Sequence, residues 1–445
     1  MPTPRFRWLL FGLLVFVLAS CAEDDALGGE VAMGEISADA TVPLIDLTEF
    51  AIRGDLAVPE GHVVLDVLNQ GAAPHNLRLA DGPITADLNA GDGTFLDLGE
   101  LSPGTYELLC ELPGHRESGM TATLEVVPSA DSGAVTISTE RTEEHDWAHL
   151  DAAMIDSINA FPAETEGLGN IPLEPTILPD GTKEFDLTVA ITPWEVSPGV
   201  IVDAWTYNGM VPGPEIRVDV GDKVRVNVQN DLPLGTDIHW HGVHTPNDQD
   251  GVAPLTQDLI ESGDDYVYEF VADEPAIGMY HAHHHGQMAI PNGLFGVFSI
   301  GELPIPRGQT IGGNTIPEDL VIDHEIPMVL NDAGVIGYSL NGKSFPATEP
   351  YVVAPGDWIA VTYYNEGLQI HPMHLHQFPQ LVFAKDGFPL DNPYYADTVN
   401  VAPGERYTVL IQATDLGTWV WHCHILTHVE KEEGMFGMVT AMVVA

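Results

Sequence analysis

The sequence predicts an all-β protein of three Greek-key sandwich domains, with one short helix in the linker after the first. Three observations carry this. The 445 residues include 44 Gly and 34 Pro, enough to punctuate many short strands with turns. Runs such as 63–68 and 123–127 are apolar-rich, contain β-branched residues and are bounded by such turns. The third observation is a duplication in the C-terminal part. Ile216-Arg217-Val218-Asp219-Val220-Gly221-Asp222 reappears as Tyr351-Val352-Val353-Ala354-Pro355-Gly356-Asp357, and each copy runs on into a His-x-His.

The composition excludes two classes. Asp plus Glu number 66 against 15 Lys plus Arg, for a formal charge of −51, so the basic footprint of a nucleic-acid binder is missing. At 44% hydrophobic residues there is also too much apolar material for a disordered acidic chain. With only three cysteines, Cys21, Cys110 and Cys423, a disulfide framework is not available.

Taken in order, residues 1–20 read as a signal peptide: Arg5 and Arg7 precede an apolar run from Trp8 to Leu18 that is short for a membrane span. Leu18-Ala19-Ser20-Cys21 resembles a bacterial lipobox, which implies cleavage before Cys21 and lipidation of its sulfur. The mature chain is then expected outside the cytoplasmic membrane, lipid-anchored to the membrane surface. Losing Arg5 and Arg7 takes its formal charge from −51 to −53. That charge suits a solvated surface in a saline habitat, and secondarily attraction of cationic substrates or a basic donor protein. Residues 21–42 form an acidic flexible tether, and 43–128 the first β-domain. In the linker 129–180, Trp147, Leu150, Met154, Ile158 and Phe161 make one helical stripe, begun by Glu143 and Glu144 and stopped by Pro162; the stripe is expected to pack on a neighbouring domain. Residues 181–301 and 302–445 are the duplicated β-domains.

The first β-domain carries Cys110, His115 and Met120 at intervals of five, with His75 upstream. A thiolate, two imidazoles and a weak thioether are the ligand set of an electron-transfer copper site. The loop resembles that of plastocyanin-like cupredoxins, which implies type 1 copper at His75, Cys110, His115 and Met120.

The duplicated domains hold four His-x-His pairs: His239 and His241, His281 and His283, His374 and His376, His422 and His424. Alternate residues of a strand face opposite ways, so His422 and His424 point one way while Cys423 points the other. One strand can thus serve a thiolate copper site and a second metal site. His371, Cys423, His428 and Met435 are left as the thiolate site, with Met438 as the competing thioether.

The motifs His239-Trp240-His241-Gly242, His281-Ala282-His283, His371-Pro372-Met373-His374-Leu375-His376 and His422-Cys423-His424 followed by His428 resemble the four copper motifs of multicopper oxidases. With two domains in 181–445, the nearest likeness is to two-domain oxidases, or small laccases, with an extra cupredoxin in front. The resemblance implies type 1 copper at His371, Cys423, His428 and Met435, type 2 at His239 and His374, and a binuclear type 3 pair at His241, His281, His283, His376, His422 and His424. It further implies that Asp250, in Asp250-Gly251-Val252, assists proton delivery. Met435 follows His428 by seven residues where many members use five, which fits an inserted loop. No acidic residue adjoins His428; Glu430 is the nearest substitute. Projected onto the first repeat, the type 1 ligands fall on Thr236, Ala282, Gln287 and Leu294, so that site is dead, while His244, His284 and His285 match no ligand.

The implied activity couples one-electron oxidation of a phenol, low-valent metal ion or redox protein to reduction of dioxygen to water. The alternative is a copper nitrite reductase, against which stand Thr236, His239, Ala282 and the eight-histidine set. The likeness to two-domain oxidases implies a homotrimer with clusters at subunit interfaces.

Overall fold

The computed structural model describes residues 40–128 and 147–445, apart from 49, 50, 72, 81, 113, 114, 117, 118 and 432, and apart from the side chains of 147–149. The signal segment, Cys21, the tether to residue 39, and Glu143 and Glu144 lie outside the described residues, as does the Trp147 side chain. The chain divides into two compact units at residues 142 and 143.

The first unit is a sandwich of two four-stranded sheets. One runs Ala51–Gly54, Leu44–Thr48, Gly61–Asn69, Gly93–Leu101, the other Ala57–Pro59, Thr121–Val127, Gly104–Leu109, Arg78–Leu79. Leu44–Thr48 pairs in parallel with Gly61–Asn69, and Ala57–Pro59 in parallel with Thr121–Val127; the remaining pairs are antiparallel. Strand alternation explains the core. Ile45, Leu47, Val63, Leu65, Val67, Leu108 and Leu124 all point inward and are fully buried. Cys110 and Met120 belong to the same core.

The second unit holds helix α1 (Trp147–Asn159) and two further sandwiches. The duplication is visible in their pairing. Lys183–Ser197 lies parallel to Lys223–Asn230, as His324–Ala333 lies parallel to Trp358–Asn365. His239 pairs with His281, as His374 pairs with His422. Each repeat has its own apolar core. A shared cluster that includes Trp194, Val211, Ile277 and Phe295 from the first repeat and Val329 and Tyr364 from the second joins them, each such side chain contributing roughly 1.5–3 kcal/mol on burial. The Trp194 indole N–H crosses the same boundary to Gly342 O at 2.7 Å.

Helix α1 differs from the expected stripe. Leu150 and Met154 are partly buried as expected, but Ile158 is 49% exposed, and Ala153 and Ser157 turn inward in its stead. The physical reason is close approach: the helix packs on Gly434-Met435, where only small side chains fit against the backbone. Phe161 keeps its expected inward place, stacked on Phe345 at 5.1 Å. Among the described residues, no helix is long and apolar enough to cross a membrane.

Candidate metal centres

In the first unit, Cys110 follows the last residue of Gly104–Leu109, and the chain returns at Met120 into Thr121–Val127. The main-chain bond from Cys110 N–H to Met120 O (3.1 Å) closes the loop, and Asn76 Oδ1 accepts the Glu111 N–H at 2.8 Å, tying it to the His75 turn. Three donor atoms converge: His75 Nδ1 lies 3.1 Å from His115 Nδ1, and Cys110 Sγ 3.4 Å from the latter. Met120 is fully buried beside them. Two imidazole nitrogens and one sulfur converge here, and this N₂S set with a thioether suits copper.

The second unit repeats the arrangement with greater burial. Cys423 Sγ lies 3.5 Å from His428 Nδ1 and 3.8 Å from His371 Nδ1, and the three residues are at most 1% exposed. Burial pushes the Cys423 thiol up to about 12 and draws His428 down to about 4. The imidazole is therefore in its neutral, ligating form, while the thiol needs a metal's charge to ionise. His371 Nε2–H donates to Asp332 Oδ2 at 2.8 Å, with both side chains inaccessible to solvent. Burial raises the Asp332 carboxyl, but the His371 ring and the Leu368 and Gln369 N–H groups outweigh it and hold it below its ordinary value. His428 stacks on Tyr338 at 4.3 Å.

Met435 is half-buried and packs on the core that contains Cys423. The main chain departs here from the projection of the type 1 ligands onto the first repeat. Cys423 N–H donates to Met438 O at 3.1 Å, as Cys110 donates to Met120 and Ala282 to Leu294. By pairing, then, Leu294 answers to Met438 rather than Met435. In the same pattern Ala289 O, not the exposed Gln287, stands where His428 O does, because Leu294 N–H bonds it at 3.1 Å. Extra residues between His428 and Met438 shift the register. Thr236, Ala282 and Leu294 are buried without metal donors among them beyond the Thr236 hydroxyl.

The paired histidines form two separate sets. In the first, His241 Nδ1 lies 3.3 Å from His281 Nε2, and the His239 ring is within 6 Å of those of His241, His281 and His283. In the second, His376 Nε2 lies 3.3 Å from His422 Nε2, and the His374 and His422 rings lie 5.7 Å or less from His424. No ring contact joins the two sets among the described residues. Burial lowers His281 to about 3 and His241 to about 4, and it lowers His376 and His422 as well, leaving neutral ligands. On the strand His371–Leu375, His371 faces the core and His374 the other way, so the thiolate pocket and the histidine set share a strand back to back.

Tautomers are fixed by the main chain. His239 Nδ1–H donates to Asp250 O at 2.9 Å, with Asp250 Oδ1 at 3.5 Å. His374 Nδ1–H donates to Asp397 O at 3.1 Å, with Asp397 Oδ2 at 3.3 Å. In both, Nε2 is the free donor. Gly251 is required beside Asp250: it has φ +77°, and a Cβ there would lie 1.7 Å from Ile238 O. Asp237 Oδ1 accepts the N–H groups of His283 and His284 at 2.7 and 2.8 Å, fixing that turn. His244 is outside the sets, paired with Asp273 at 3.1 Å, and His284 and His285 pack on each other. Asp332, Asp397 and Asp237 are the residues that motif reading misses.

The chain belongs to the multicopper oxidase family, whose models match residues 188–304 and 320–444. It is similar to the multicopper oxidase MmcO of Mycobacterium tuberculosis, at 29% identity over 252 residues, covering 48% of this chain and 49% of that one. Among solved structures it resembles the multicopper oxidase mgLAC, with 36% identity and a TM-score of 0.54 over 59% of this chain and 86% of that one. The blue copper oxidase from Nitrosomonas europaea gives 32% identity, a TM-score of 0.53 and coverage of 59% and 85%. The chain spans about half the length of the curated relatives it matches.

Proposed function

We propose that this chain is a copper-dependent oxidase that takes single electrons from a reductant at Cys423 and reduces dioxygen to water at the paired histidines. One observation carries the reading: Cys423 faces a buried N₂S pocket while His422 and His424, its covalent neighbours, belong to a cluster of imidazoles. Copper would supply one-electron acceptance at the first place and four-electron reduction of dioxygen at the second. His371, Cys423, His428 and Met435 would hold type 1 copper, His239 and His374 type 2, and the other six paired histidines the type 3 pair. Met438 is the rival thioether, on the strength of its main-chain pairing with Cys423. Dioxygen reduction consumes four protons, and Asp250, and with it Asp397, each against a histidine of the cluster, would assist their delivery.

Each half-set offers four imidazoles, too few for three metal ions, so the reading includes a homotrimer in which 239–283 of one subunit faces 374–424 of the next. His75, Cys110, His115 and Met120 would form a second type 1 site that relays electrons from a donor protein or small reductant. Cleavage before Cys21 and lipidation would place the enzyme on an extracytoplasmic membrane surface.

Metal analysis and spectroscopy test the core of this. About five coppers per chain with a coupled type 3 pair are expected; a single thiolate copper and one isolated copper in the second unit would instead indicate nitrite reductase chemistry. Complementation tests the assembly. Chains with His283→Ala and chains with His424→Ala, each inactive, are refolded together. Random trimers give a complete interface at about one site in four, and about that share of activity should return. No recovery would contradict clusters shared between subunits.

A further inference from the structure

We propose that Ser157, on linker helix α1, is a positioning residue for the type 1 copper loop that carries Met435. The proposal rests on the oxidase reading above; the loop from His428 to Met438 that Ser157 grips carries both candidate thioethers, Met435 and Met438.

The Met435 N–H donates to Ser157 Oγ at 2.9 Å, and the Ser157 hydroxyl proton is already directed to Met154 O at 2.8 Å. The serine therefore presents a lone pair to Met435, and the two bonds form one relay from the helix backbone to the copper loop. The approach is close. At Gly434, with φ +99°, a Cβ would meet both Ala153 O and Ser157 Oγ at 2.5 Å. A helix that merely filled a surface groove would not need glycine opposite its own backbone.

The loop is gripped at a second point as well. Gly437 N–H donates to Ser344 Oγ at 2.9 Å, and Phe345 N–H to Gly437 O at 2.9 Å. That same 344–346 segment receives the end of the helical region, through the Phe161–Phe345 stack and the Ala163 N–H to Pro346 O bond of 2.8 Å. Helix and segment form one clamp with the methionine loop inside it. An axial thioether is a weak ligand whose distance and direction tune the copper, and the main chain of the loop that supplies it is held here by a residue some 280 positions away in sequence.

The test uses the full copper-loaded chain with Cys110→Ser, so that the thiolate-to-copper absorption and electron paramagnetic resonance report Cys423 alone. Ser157→Ala should shift both signals and lower copper affinity at that site about five-fold, the loss of one neutral hydrogen bond. Ser157→Thr, which keeps the hydroxyl, should return the parent signals, and the type 3 near-ultraviolet band should not move in either. Unchanged signals in Ser157→Ala, or equal shifts in Ala and Thr, would overturn the proposal. Absence of any thiolate band before Ser157 is touched would instead remove the oxidase reading beneath it. Gly434→Ala gives an independent check, since its Cβ must push the helix away and should produce the larger shift.

Discussion

Asp332→Asn should damage the second thiolate site without touching a metal ligand. The carboxylate accepts three N–H groups: His371 Nε2 and Gln369 N on Oδ2, both at 2.8 Å, and Leu368 N on Oδ1 at 3.0 Å. An asparagine has one oxygen, so at least one of these donors would face an amide NH₂ in a place sealed from water. A buried donor left without an acceptor costs about 1–3 kcal/mol, and the charge assistance of the His371 bond is lost as well. The metal-free chain should therefore lose about 2–4 kcal/mol in denaturant unfolding. Copper affinity at Cys423 should fall about 10–100-fold, the usual consequence of removing the carboxylate behind a ligating imidazole. The reduction potential should rise, because removing a nearby anion disfavours the more highly charged copper. Chelator competition followed through the thiolate absorption, with Cys110→Ser as background, reads the affinity. Stability within about 0.5 kcal/mol of the parent, together with unchanged affinity, would refute the argument.

Two further outcomes are expected. Glu366 sits in the wall of a cavity of about 400 Å³ that the His239, His241, His281 and His283 side chains also line, and its Oε1 has no hydrogen-bond partner among the described residues. Burial raises its carboxyl to about 8. Because the folded value exceeds the ordinary 4.5, its contribution to stability is intact below that pH and is lost as pH rises through 8. The metal-free Glu366→Gln chain should then lose less stability between pH 5 and 8 than the parent, by at most about 4 kcal/mol, as thermal melts across pH would show; parallel melts would contradict it. In the second outcome, Cys110→Ser slows turnover with a protein electron donor and spares small phenols, measured as oxygen uptake. Equal loss with both, or none with either, removes the relay.

The ligand atoms were legible in the sequence because metal chemistry restricts residue type: four His-x-His pairs in register with a duplication have no packing explanation, and strand alternation separates Cys423 from its neighbours. What surrounds them was not. Asp332 reaches His371 from the end of a strand that neither pairs with the strand of His371 nor shares a motif with it. Asp397 meets His374 only because Thr398–Val401 folds back on His371–Leu375. The helix was visible as a stripe, from which Ile158 departs among the described side chains. Hydrophobicity placed Ile158 inside, whereas contact with Gly434 favours small side chains, and Ala153 and Ser157 took that face. The Leu294–Met438 correspondence was hidden for a related reason, since projecting one repeat onto the other by sequence cannot see where the main chain re-pairs after a loop.

The dead site of the first repeat bears on the order in which the molecule matures. Where the second repeat buries a thiol, two imidazoles and a carboxylate, the first buries Ala282, Ala289 and Leu294, none more than 1% exposed. This corner of the first repeat is thus completed by apolar packing, while the equivalent corner of the second encloses a thiol and imidazoles. The shared cluster of Trp194, Val329 and Tyr364 joins the two halves in one packed unit. On the oxidase reading, such a chain would keep its packing through copper scarcity and take up the metal without refolding.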